Sequence, residues 1–142
     1  MNFVPRARTT VVALSAAAAV ALVGCASTPA ADLREGDCVN VRGDGPNASV
    51  ARVACDSPHS AEVFFVATLD EPASDAADAV EVAAEEACLF MFWDFAGEHY
   101  YESSLEARWL VPSADAWDQG ERTAVCLVQS PEGDVTGSLR GR

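Results

Sequence analysis

The sequence predicts an α+β domain, a small antiparallel sheet with one long helix packed on it, stapled by two disulfides. Three observations predict it. Short β-rich runs recur between clusters of turn-forming residues, and the stretch 75–91 carries apolar residues at helical spacing. Four cysteines, Cys38, Cys55, Cys88 and Cys126, remain once Cys25 is assigned to the end of a leader. Several strands with a single long helix, rather than a regular alternation of the two, indicate α+β.

The leader comes first in the chain. Met1 to Arg8 holds Arg6 and Arg8 and no acid, and Val11 to Val23 is apolar except for Ser15. A basic start, a short apolar centre and small residues at its end make an export signal. The run is too short for a membrane span, which takes about 20 apolar residues. Leu22-Val23-Gly24-Cys25 resembles a bacterial lipobox, where lipid alkylates the thiol and the chain is cut just before the cysteine. The expected organisation is a lipoprotein signal peptide over 1–24, a lipidated Cys25 with a flexible tether over 25–35, and one folded domain over 36–142. The competing reading is a plain secretory peptide cut after Ala26 or Ala30, with Cys25 incidental.

The domain elements follow in order. Cys38 to Val41 reads as a strand, with Val39 and Val41 on one face and Cys38 on the other. The cluster Gly43-Asp44-Gly45-Pro46-Asn47 turns the chain, and Ser49 to Cys55 returns as a second strand. Folding this hairpin brings Cys38 across from Cys55, which selects Cys38–Cys55 and Cys88–Cys126 from the three pairings that four cysteines allow. Glu62 to Leu69 is a β-rich apolar run expected in the middle of the sheet. Ser74 or Asp75 can cap a helix in which Val80, Ala84, Ala87, Cys88 and Met91 form one stripe, and Gly97 ends the region. Glu106 to Pro112 and Arg122 to Gln129 read as an antiparallel pair of strands. Ala114 to Glu121 between them is a polar turn with room for one turn of helix.

Composition narrows the function. The chain of 142 residues carries 22 acids against nine arginines and no lysine, a formal net charge of −13. Loss of Arg6 and Arg8 with the leader brings the balance to about −15. So acidic a domain is repelled by nucleic acid and by anionic headgroups, so membrane contact is expected through lipid on Cys25. The absence of lysine and isoleucine is the mark of a G+C-rich genome. Four paired cysteines fit an oxidising compartment. No Cys-x-x-Cys spacing exists, and with only two histidines no metal site or cofactor is expected.

Several short motifs, taken in order, resemble the septum-formation domain family, small exported or membrane-tethered domains of high-G+C Gram-positive bacteria. They are Gly36-Asp37-Cys38, Val53-Ala54-Cys55, Ser57-Pro58-His59, Ala61-Glu62-Val63-Phe64, Cys88, Trp117 with Gly120-Glu121-Arg122, Cys126, and Thr136-Gly137-Ser138-Leu139. The family more often has Asp where this chain has Ser60, and Gly-Asp-Arg where it has Gly120-Glu121-Arg122. The resemblance implies a link to septation or envelope processes, with no reaction to carry over.

Catalysis lacks a constellation. There is no Gly-x-Ser-x-Gly elbow, Glu85-Glu86 reads as a solvated face, and His59 and His99 have no ligand partners at matching spacing. The aromatics are more informative, since eight of the 11 lie between Phe90 and Trp117. Phe90, Phe92, Trp93 and Phe95 cover most of a helix circumference and cannot all face inward. The candidate binding surface is Trp93, Phe95, Tyr100, Tyr101, Trp117 and Arg122, weighed against a core-sealing role for the same rings. Two functions follow. One is a lipid-anchored, non-enzymatic domain on the outer face of the cytoplasmic membrane that binds an envelope or division protein or a wall component. The other is a peptide- or glycan-binding module with no division role.

Overall fold

The computed structural model describes residues 27–43, 48–71 and 78–142. Cys25, the turn at 44–47 and the capping positions Ser74 and Asp75 lie outside the described residues. Strands β1 (Cys38–Arg42), β2 (Ser49–Val53), β3 (Ala61–Thr68), β4 (Glu106–Leu110) and β5 (Thr123–Gln129) form one antiparallel sheet, in the order β2-β1-β3-β5-β4. Helix α1 (Ala79–Ala96) packs against β3, β4 and β5, and α2 (Ala114–Asp118) supplies the single turn between β4 and β5.

Each face of the sheet carries its own core. On the helix side Ala84, Cys88, Phe92 and Phe95 of α1 meet Phe64, Ala124, Cys126 and Val128. On the other side Val39, Val50, Ala61, Val63, Val125 and Leu127 close around Leu33. Because β5 is covered on both faces, it reads as a continuous apolar run rather than an alternation. The central position expected for β3 holds.

A β-bulge interrupts β3: Val63 pairs with Leu127 and Phe65 with Cys126, leaving Phe64 as the extra residue. Both Phe64 and Phe65 thereby face the helix, which strict alternation forbids. Gly97 stops α1 with φ +79° and an N–H donated to the Trp93 carbonyl at 2.8 Å, a left-handed cap that glycine adopts without strain.

Two expectations are corrected. The described part of the segment read as a flexible tether is held down: the Thr28 N–H donates to Val50 O at the β2 edge, Ala30–Asp32 forms a 3₁₀ turn, and Leu33 is fully buried. An apolar leucine completing an otherwise open sheet face explains the docking. The first hairpin also pairs Cys38 with Val53, not Cys55. Cys55 lies past the strand end, where the chain folds back far enough to form the expected bridge, with Cα atoms 5.2 Å apart. The second bridge, Cys88–Cys126, ties α1 to β5 with Cα atoms 5.4 Å apart.

Candidate functional site

The short sequence motifs converge on one structural block. Glu62, 3% exposed, accepts the Ser138 hydroxyl at 2.9 Å and the Leu139 N–H at 2.6 Å, so the tail motif is tied to the start of β3. His59 and Val135 exchange both backbone hydrogen bonds at 2.9 Å, and the Gly137 N–H reaches Cys55 O at 2.6 Å. The buried His59 ring places Nδ1 2.8 Å from the Ser57 carbonyl, so Nδ1 carries the hydrogen. Its Nε2 has no partner among the described residues. The Ser60 hydroxyl accepts the Val41 N–H at 2.9 Å and donates to Val39 O at 3.4 Å. Asp37 accepts Nε of Arg52 at 2.9 Å and the Arg34 N–H at 2.8 Å, joining the domain start to β2.

A second motif builds the corner between α2 and β5. The Arg122 guanidinium lies 3.8 Å from the centre of the Trp117 ring and donates to Trp117 O at 2.7 Å. Gly120, at φ +93°, makes the reversal. Glu121 accepts the N–H groups of Thr123 at 2.8 Å and Arg122 at 3.0 Å. Hydrogen bonds from Thr123, first from its side chain and then its backbone, hold the Glu121 carboxyl below the usual carboxylate range.

The candidate surface residues divide among three places. Phe95 is buried, its ring 5.7 Å from that of Phe64, and is a core residue, because its helix position faces the sheet. Trp117 and Arg122 are half-buried in the corner just described, beside Leu69 and Ala84. Trp93, Tyr100 and Tyr101 gather at the C-terminal end of α1. Tyr100 stands edge-on to buried Phe92 at 5.4 Å, Tyr101 packs against Tyr100, and Trp93 meets the His99 ring at 4.5 Å. Thus the six do not form one patch.

Two residues outside that set join the exposed group. Phe90 is 83% exposed, Tyr101 87%, Trp93 49% and Val82 47%. Positions 82, 86, 90 and 93 fall in one row, opposite the buried row 84, 88, 92 and 95. The signal was available in the spacing: α1 carries apolar residues on both faces, whereas a surface helix normally has one polar face.

Elsewhere, a cavity of about 260 Å³ lies between Leu105, Ser130, Val135, Leu139 and Arg142. It is slightly smaller than a typical ligand pocket. Among the described residues no three His, Cys, Asp or Glu side chains come together as metal ligands, and no helix is long and apolar enough to cross a membrane.

Comparison with curated proteins finds no match, and comparison with solved structures finds none either. A family model described as septum formation matches residues 34–141, from the Arg34–Asp37 turn through the tail that Glu62 holds. The chain therefore belongs to the septum-formation family.

Proposed function

We propose that this protein is a lipid-anchored, non-enzymatic domain on the outer face of the cytoplasmic membrane, serving septation by binding an envelope or division protein. The observation that carries the reading is the division of labour in the structure. The family motifs lie in hydrogen bonds and disulfides inside the fold, while Phe90, Trp93 and Tyr101 stay in solvent. Family membership supports the link to septation. The basic and apolar leader ending at Cys25 supports export and lipidation, and two disulfides in a domain this small support an oxidising compartment. Acyl chains on Cys25 would hold an acidic body that headgroups repel.

A second reading, a peptide- or glycan-binding module with no division role, draws on the cavity beside Leu105 and Leu139. Neither Phe90 nor Trp93 lines that cavity, and family membership favours the first reading. Fractionation of cells in which residues 1–25 are exchanged for a plain secretory leader cut at its own site tests the anchor. The variant is expected in the soluble extracytoplasmic fraction with its disulfides formed. Persistence in the membrane fraction would mean that another anchor holds the chain.

A further inference from the structure

The outer face of α1 is built against the ordinary rule for a surface helix. Its inner row already supplies the contact with the sheet, so Val82, Phe90 and Trp93 add nothing to that core. Tyr101, in the turn after α1, packs on Tyr100, which itself stands edge-on to buried Phe92. Large aromatics held 49% to 87% in solvent on a rigid helix and the turn after it are the residue types that anchor protein interfaces.

The charge around them specifies what can cover them. From Ala79 to Ala107 the chain contains Glu81, Glu85, Glu86, Asp94, Glu98, Glu102 and Glu106 and no arginine or lysine. Glu85, Glu86, Asp94 and Glu102 are exposed. Arg140 stands over the Phe95 ring and donates to the Asp94 carbonyl at this end of α1, so acids outnumber the cation there. A second copy would bring like charges together, and a bilayer with anionic headgroups would be repelled in the same way. From Thr28 on, the N-terminal segment packs along β2, with Leu33 in the core on the sheet face opposite α1.

We propose that the outer face of α1, Val82, Phe90 and Trp93 with Tyr101 beyond its end, docks a partner protein surface that combines apolar side chains with lysine or arginine. The assignment rests on the reading of this chain as an interaction protein and names the face and the partner chemistry. Aromatic anchors enter the partner's apolar seam, and the surrounding carboxylates pair with its cations at the rim, setting orientation and encounter rate.

The test uses the oxidised chain from residue 26, exported behind a plain secretory leader in place of residues 1–25, so that neither lipid nor leader contributes. The probe is a synthetic amphipathic helical peptide of leucine and lysine, compared with a leucine–glutamate peptide of the same apolar pattern. Wild-type α1 should bind the lysine peptide, and Phe90→Ser with Trp93→Ser should weaken binding at least tenfold without changing the charge. Raising the salt concentration should weaken binding as well. Phe90→Ser alone, at a position 83% exposed, keeps the test open if the double variant fails to fold. Equal affinity of wild type and variant, or equal binding of the glutamate peptide, overturns the proposal. So does Phe90-dependent binding to phosphatidylcholine vesicles, or Phe90-dependent dimerisation in sedimentation. Peptide binding through Phe90 in a chain whose loss leaves septation normal sinks the division role alone. Normal dependence of septation on the chain without such binding sinks the docking face alone.

Discussion

Removal of the Cys88–Cys126 bridge should destabilise the domain more than removal of Cys38–Cys55. The bridges span 38 and 17 positions of sequence. In the chain-entropy model, opening them costs about 4 and about 3 kcal/mol respectively. Burial widens the difference. Cys88 and Cys126 are both fully enclosed between α1 and β5, so Ala at each leaves a void next to Phe92, whereas in the other pair Cys38 is buried and Cys55 only half-buried at the sheet edge. A domain of this size has a total stability of roughly 5–15 kcal/mol, so Cys88→Ala with Cys126→Ala should lower the melting temperature by roughly 15–30 °C or abolish folding at 37 °C. Urea and thermal unfolding of both double-alanine variants, followed by tryptophan fluorescence and circular dichroism, measure the pair. Equal losses, or a larger loss from the Cys38–Cys55 pair, would refute the assignment of Cys88–Cys126 as the clamp between helix and sheet.

Two other residues carry predictions of the same kind. Glu62→Met removes both acceptor oxygens and leaves the buried Leu139 N–H unmet, at a cost of about 1–3 kcal/mol. Amide exchange at Leu139 and trypsin cleavage after Arg140 should both accelerate while the β5 amides stay protected; an unchanged tail would contradict the strap. Glu121 has its carboxyl held low in the folded state, so its contribution to stability is present above the ordinary carboxylate value near 4.5 and fades as the pH falls through the lower folded value. Wild type and Glu121→Gln should therefore differ in stability at pH 6 and converge on acidification. The difference should be small at this partly exposed corner, and a gap that widens toward low pH would reverse the sign of the linkage.

The elements legible in the sequence are those whose pattern is local. The runs at 62–69 and 122–129 are apolar enough to be strands covered on both faces, and helical spacing gives the stripe Val80, Ala84, Ala87, Cys88 and Met91, of which Ala84 and Cys88 are fully buried. What was hidden depends on partners far along the chain. Phe64 sits in a bulge because the β3–β5 register shifts there, and nothing in Val-Phe-Phe-Val announces which phenylalanine is the extra one. Leu33 reads as part of a polar lead-in until a sheet face needs covering. Glu62 reads only as the first residue of the run at 62–69, and its partners stand 76 and 77 positions later. The same reasoning separates the candidate surface residues. Trp93 and Tyr101 are exposed, whereas Phe95 turns inward with Phe92, and Trp117 is engaged by Arg122 at a corner that no helical spacing reveals.

The central claim is that an oxidised, acidic domain is moored outside the membrane by its first residue after processing. Intact mass and non-reducing peptide mapping of the protein extracted from membranes test it together. The account predicts a chain beginning at an acylated Cys25, with Cys38 linked to Cys55, Cys88 linked to Cys126 and no free thiol. An unprocessed chain recovered from the cytosol with all five thiols reduced would contradict it.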